Sequence, residues 1–447
     1  MTLKDNVRPS LLLWWSTMEL TPEEQERKQV IQRFMEGERP VDIYRDINRS
    51  KTWFKKWLNR YQTGQKKWYK SLPREPAIIY NKTNEKLEQV VVKIRKSLME
   101  GSEDSARYSF VGDEVIQFQM EELGYEPSAI PSRSTIKRII KRHKLRVNKK
   151  ERYKRVRSKG RYTIIKPECI DEMHQIDFVG PRYIKGFGPI NSLHLKDVVG
   201  RQVAGNQYVG KSMNNVMEFL LDYWKSHPIP RYLQIDNGMS FTGDYIHPRS
   251  ISRFVRLCLY VGIEVIFIAP AKPWMNGTIE AFNKEFDRLF WRPETFTSLS
   301  DIQAKSAIFH ASQNKFYNWK GKTQDLKSIS PKRMLQCDFE IDSDNMPLVS
   351  GKIHFIRVLD SKGSIIVLNE CFHVDEEYIG EYIWVTIDTR EQSLVISYND
   401  EEMVVRKIQR FDYGIDEKVY DLDDNIFLSR IIQRGTNGLS FFGGTMR

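Results

Sequence analysis

The stretch 270–280, PAKPWMNGTIE, limits the fold more than any other part of this chain. The apolar run 265–268 before it reads as a buried strand, and Pro270 closes that strand. A Pro- and Gly-punctuated loop follows, then a helix with Glu280 in its first turn. A strand handing over to a helix through a stiff loop belongs to a layered α/β domain, and it brings a carboxylate to the end of a sheet. Two more carboxylates, Asp177 and Asp236, also lie at the ends of strand-like runs upstream. The chain reads as organised around bringing these three together.

The surrounding pattern supports such a domain. Residues 174–178, 192–199 and 202–209 are apolar or alternating runs separated by Gly- and Pro-bearing turns, which suits an antiparallel meander. Helix then alternates with strand: 214–224, 232–235, 250–261, 264–268, 278–291 and 301–319. That order predicts a mixed sheet covered on both faces. After Pro331 short strands at 352–358, 364–367, 383–387 and 394–397 predict a small β-barrel over 345–411, followed by an acid-rich extension over 412–447.

The front of the chain is helical. Thr21, Pro22 and Glu24 form a capping box with proline at the first helical position. A short helix over 41–47 follows, and Ser50 caps a third in which Trp53, Phe54, Trp57 and Leu58 recur at helical spacing. This predicts a helix-turn-helix unit over 20–72, with Lys51, Thr52, Lys55 and Lys56 on the polar face of its last helix. Any small three-helix bundle shares the apolar pattern, so the basic face carries the DNA reading. A second unit over 82–146 repeats the architecture: Ser132 caps a helix that turns Ile136, Ile139 and Ile140 inward and Arg133, Lys137, Arg138, Lys141 and Arg142 outward. A basic linker spans 147–164. Residues 1–170 hold 38 Lys/Arg against 22 Asp/Glu, while the remainder is slightly acidic, which places a polyanion-binding function in the front half.

Three convergent carboxylates cannot all stay ionised without a cation, and hard oxygen ligands favour Mg²⁺ or Mn²⁺ over zinc. Two such ions would serve an in-line phosphodiester displacement, for which the protein needs no nucleophile of its own. Against this stands the count of 58 acidic residues, some of which must fall near strand ends by chance. His174, three residues before Asp177, points to the other face of a strand, so it is read as a packing or capping group.

Asp177 in HQIDFVG, Asp236 in LQIDNGMSF and Glu280 in PAKPWMNGTIEAFNKEF resemble the three blocks of the DDE catalytic core. That core is shared by retroviral integrases and bacterial insertion-sequence and phage Mu-like transposases. The resemblance implies a ribonuclease-H-like fold over 165–325 with Asp177, Asp236 and Glu280 as catalytic metal ligands. It also implies that Pro273, Asn276 and Gly277 shape the loop before the glutamate, and that Lys284 lies against the DNA end. Two departures stand out: an insertion near 243–249 lengthens the spacing between Asp236 and Glu280, and Asp287 stands where a basic residue is common.

The resulting expectation is a metal-dependent DNA transposase that binds the element's terminal repeats in double-stranded DNA, cleaves and joins strands, and works as a homo-oligomer assembled on DNA. Whether a helper ATPase takes part is open. Two other readings remain: a non-catalytic DNA-binding regulator derived from such an enzyme, and a metal-dependent nuclease that does not join. Four scattered cysteines and no apolar run of bilayer length fit a reducing compartment and no membrane partner, and the resemblance implies a cytoplasmic, nucleoid-associated bacterial protein.

Overall fold

The computed structural model describes residues 20–64, 66–71, 83–101, 107–147, 165–184, 186, 188–242, 246–399 and 405–427. Most of the basic linker, the end of the acid-rich extension and part of the 243–249 insertion lie outside these residues. The chain divides into two units, Met1–Lys82 and Thr83–Arg447.

In the first unit, α1 (Pro22–Met35), α2 (Pro40–Asp46) and α3 (Lys51–Gln62) form a three-helix bundle. Thr21 and Glu24 complete the capping box, and Ser50 Oγ accepts from Trp53 N to start α3. Val30, Ile43 and Phe54 make the small core, each such side chain contributing about 1.5–3 kcal/mol by leaving water. Arg27 lies over the Trp57 ring at 4.1 Å and donates to the Tyr69 carbonyl at 2.8 Å, tying the segment after α3 back to α1.

The second unit opens with α4 (Glu85–Glu100), α5 (Asp113–Glu122) and α6 (Arg133–Arg142). Asn84 caps α4 and Ser132 caps α6. Their core is not self-contained: Val91, Ile116, Phe118 and Ile136 share one cluster with Phe316, Tyr317 and Trp319.

The sheet begins with β1 (Met173–Ile184), β2 (Gly188–Asp197) and β3 (Val203–Val209), an antiparallel meander. Gly180, at φ 124°, sits at a bulge where a Cβ would meet the Ile190 carbonyl at 3.0 Å. Then come α7 (Met213–Ser226), β4 (Tyr232–Ile235), α8 (Met239–Thr242), α9 (Arg253–Tyr260), β5 (Glu264–Phe267), α10 (Gly277–Phe286) and α11 (Leu299–Thr323). The chain continues with β6 (Leu348–Val349), β7 (Lys352–Val358), β8 (Ser364–Val367), β9 (Glu370–His373), β10 (Tyr382–Asp388), β11 (Ser393–Asn399), β12 (Val405–Asp412) and β13 (Val419–Tyr420).

Nine strands make one sheet, in the order β12-β11-β10-β7-β5-β4-β1-β2-β3. Strand alternation sorts its faces. Ile176, Leu233, Ile235, Val265 and Phe267 pack with Val216, Leu220 and Trp224 of α7 and Phe254 and Leu257 of α9. On the other face His194 packs against Phe282 and Phe286 of α10 and His310 of α11. Helix α11 also covers the sheet edge: Asn314 bonds both the amide and the carbonyl of Val203 on β3. The barrel expected over 345–411 is not shown among the described residues. Strands β7, β10, β11 and β12 form an open meander joined to β5, and β8–β9 is a separate hairpin.

Candidate active site

The geometry starts from two copies of one tripeptide, Gln-Ile-Asp at 175–177 and 234–236. Strands β1 and β4 are parallel neighbours, with Gln175 opposite Gln234. Continuing that register by two residues sets Asp177 level with Asp236. Alternation puts each aspartate on the same face as its glutamine, the face covered by α10.

The glutamines hold the segment that carries the third carboxylate. Gln234 Nε2 donates to the Met275 carbonyl at 2.7 Å and to Asn276 Oδ1 at 2.9 Å. Gln175 Oε1 accepts the Ile279 amide at 3.0 Å, one of the N–H groups left without a helical partner at the start of α10. All of these groups are buried. Glu280 therefore enters its helix from a start pinned to both aspartate strands. Pro273 opens a 3₁₀ turn, Pro273–Asn276, that runs directly into α10.

Gly277 requires a correction to the expected loop-shaping role. It has ordinary helical angles, φ −60° and ψ −23°, and an added Cβ would meet nothing within 4 Å. No backbone requirement for glycine exists there. The positive φ of this loop belongs to Ala271, at 57°.

Asp177 is held on its other side. Asn283 Nδ2 donates to Asp177 Oδ2 at 2.9 Å, and Asn283 Oδ1 accepts from His194 Nδ1 at 2.7 Å. Burial pushes His194 down to about 4, so its ring is neutral and orients the amide without adding charge. Asp236 Oδ1 accepts the Gly238 amide at 2.8 Å, which fixes the turn after β4. Burial pushes the Asp177 carboxyl up to about 7, with repulsion from Asp236 and Glu280 adding to it and Lys211 opposing it. The three carboxylates thus share one field, but they do not close to ligand distance.

Among the described residues, Asp171, His174 and Asp197 alone bring ligand-type atoms within 4.8 Å of one another. Their donor types are compatible with a divalent ion, yet the Asp197 carboxylate already accepts the amides of Asp171, Val199 and Gly200. His174 Nε2 lies 3.2 Å from Asp171 Oδ1. His174 is on the face away from Asp177, near Tyr223 of α7.

The basic residues expected at DNA fall into two groups. Lys51, Thr52 and Lys55 are exposed on α3, and no ion pair engages either lysine among the described residues. On α6, Arg133 pairs with Asp113 and Glu114, Lys137 lies 3.6 Å from Asp113, and Arg138 bonds Thr135. Arg142 is spent on Glu88. Lys284 is largely exposed, 3.9 Å from Glu280 Oε2.

Sequence reasoning passed over Gln175, Gln234, Asn283 and His194. The repeated tripeptide was the available signal for the glutamines, and Asn283 stands one helical turn beyond Glu280.

Residues 21–68 match the homeodomain-like domain family. No curated protein matches the chain. Among matching solved structures, the catalytic core domain of BIV integrase is 15% identical, covering 35% of this chain and 99% of its own, with a TM-score of 0.26. That likeness is too loose to weigh, and the fold stands on its own strand order. No helix among the described residues is long and apolar enough to cross a membrane.

Proposed function

We propose that the protein is a DDE-type DNA transposase, a polynucleotidyl transferase that cleaves and joins DNA strands. The observation that supports this reading is the parallel pairing of Gln175 with Gln234, two residues before Asp177 and Asp236, together with the hydrogen bonds by which the same glutamines hold the start of the helix bearing Glu280.

The donor set fits a hard divalent cation: three carboxylates in one field, one of them driven toward its protonated form by burial and by the other two. Asp177, Asp236 and Glu280 would hold Mg²⁺ or Mn²⁺, in two ions on this reading. Bound there, the metal supplies Lewis-acid activation of water or a 3′-hydroxyl and charge neutralisation at the phosphate.

The chain's own residues do the positioning. Asn283 and His194 orient Asp177, Gly238 N holds Asp236, and the two glutamines set where α10 begins. Lys284 and Lys211 place positive charge beside the carboxylates, where a DNA phosphate arrives. Helix α3 presents Lys51, Thr52 and Lys55 to double-stranded DNA, and joining two ends calls for a homo-oligomer assembled on DNA.

A joining assay with Mg²⁺ and DNA bearing the element's ends tests this. Joined product that disappears in Asp236→Asn is the expected result. Cleavage without joining would identify a nuclease, and binding without either would identify a regulator.

A further inference from the structure

Helix α10 has a second flank. Thr278, Ala281, Phe282 and Glu285 lie on the side away from Glu280 and Asn283, at one-turn spacing. They line a cavity of about 510 Å³ shared with Lys196, Arg201 and Tyr317.

Lys196 is the unusual group there. It projects from β2 and is 3% exposed. Its ammonium lies 4.7 Å from the Phe282 ring and 4.6 Å from the Tyr317 ring. Among the described residues nothing accepts a hydrogen bond from it and no carboxylate pairs with it. Burial, with Arg201 adding to it and the more distant Asp197 and Glu285 opposing it, pushes this amine down to about 7. Two ring faces offset part of the desolvation of an ammonium but leave its N–H donors unused.

Arg201 stands at the cavity mouth in a turn with φ 65°, a conformation unusual for a residue with a side chain. It donates to Thr278 Oγ1 at 3.0 Å and has no carboxylate partner among the described residues. The other charges are spoken for: Lys320 pairs with Glu114 at 2.7 Å, and Glu285 pairs with Arg288. Two cations with free donors therefore meet in a cavity walled by aromatic rings.

We propose that this cavity is a phosphate site, in which Lys196 and Arg201 take a backbone phosphodiester of the DNA strand running past α10. The site rests on the transposase reading for its source of phosphate. A helix is about 10–12 Å across with its side chains, so a phosphate here lies one helix width from the carboxylates. That is the reach of DNA flanking the reacting bond. The half-buried Tyr317 ring suits the sugar beside such a phosphate.

The test uses the full-length protein with Lys196→Met, which keeps the packing on both rings, and Arg201→Gln, which keeps a donor for Thr278. Binding to a 30-base-pair duplex is measured against salt, beside binding of inorganic pyrophosphate and ATP, with melting temperatures to check folding. Either variant is expected to lower the slope of log K against log salt by up to about 0.9, the whole share of the one phosphate that the two residues take together, and to bind DNA up to roughly tenfold more weakly near 0.1 M salt. Pyrophosphate or ATP binding that depends on Lys196, with an unchanged DNA slope, overturns the assignment to DNA in favour of a free nucleotide. No change with any probe overturns the site. Should Lys196→Met fail to fold, Arg201→Gln on the exposed turn decides alone. If the wild-type protein binds no duplex, the transposase reading fails, and the pyrophosphate arm still decides whether the cavity takes phosphate.

Discussion

Asp177 carries a conflict that its protein neighbours do not resolve. It is buried beside two carboxylates with Lys211 as the opposing charge, and its carboxyl is pushed up to about 7. The folded value lies above the unfolded one, so the folded state binds the proton more tightly. Stability from this group is fully present below about pH 4 and is lost as pH rises through 7. Metal-free protein should therefore melt at lower temperature at pH 8 than at pH 6 on account of this group. Asp177→Asn should flatten that dependence, by roughly 2–4 °C for each kcal/mol recovered. Differential scanning calorimetry across that range checks it, and an unchanged pH slope in the variant would mean that Asp177 is not the strained group. The glutamines give a second prediction. Gln234→Leu removes two buried hydrogen bonds and strands Asn276 Oδ1. A cost of about 1–3 kcal/mol follows. Joining should fall at least tenfold while DNA binding by α3 persists, as gel-shift and joining assays on one preparation can show. The sequence could single out these acids as candidates because strand-end acids beside Gly and Pro turns are a local pattern, and Asp177 does feel the charge of the other two. The repeated tripeptide marks the glutamines, but what they hold was not legible, because it is set by a parallel pairing between segments far apart in the chain.

At the scale of elements, two capped helices of similar composition differ in what surrounds their basic faces. Helix α3 turns Lys51 and Lys55 outward with no ion pair among the described residues, while α6 spends Arg133 and Lys137 on Asp113 and Glu114 of α5. Sequence periodicity read both faces alike, since it records which side of a helix is polar but not which helix lies opposite. The structure separates their consequences. Lys51→Ala with Lys55→Ala should weaken DNA binding and lower its salt slope by nearly 2, about 0.9 for each phosphate that a lysine no longer neutralises, without changing the melting temperature. Arg133→Ala should instead take one cation from Asp113 and Glu114, which keep Lys137 and Lys320. Exposed pairs of this kind contribute about 0.2–1 kcal/mol, so a small stability loss is expected with a salt slope close to wild type. A steep loss of DNA affinity in Arg133→Ala would show that α6 releases its arginine to DNA, and would put α6 as well as α3 on the nucleic acid.

Across the whole molecule, the expected division between a catalytic core and a carboxyl-terminal barrel is bridged by one strand pair. Val265, Ile266 and Phe267 of β5 run parallel to Ile353, His354 and Phe355 of β7, with the rings of Phe267 and Phe355 stacked at 5.0 Å. His354 Nε2 also meets Glu264 Oε2 at 2.8 Å. From β7, the half-buried Arg357 donates to Asn237 Oδ1, on the residue after Asp236, and to the Ile366 carbonyl at the hairpin. The strands themselves were readable from alternation, but this pairing joins segments almost ninety residues apart, and no local signal marks it. The physical consequence is that β5 is an interior strand. A fragment ending at residue 345 would expose its unpaired edge together with Phe267 and Val265, a template for aggregation. Residues 83–345 made alone should therefore be largely insoluble or lack a cooperative urea transition, whereas 83–427 should unfold in a single step. Arg357→Met offers a gentler version, preserving the sheet while freeing the turn at Asn237. It should lower joining more than it lowers stability. A soluble, cooperatively folded 83–345 fragment would show that the layer carrying the three carboxylates closes without β7, and would return the carboxyl-terminal strands to the status of a separate domain.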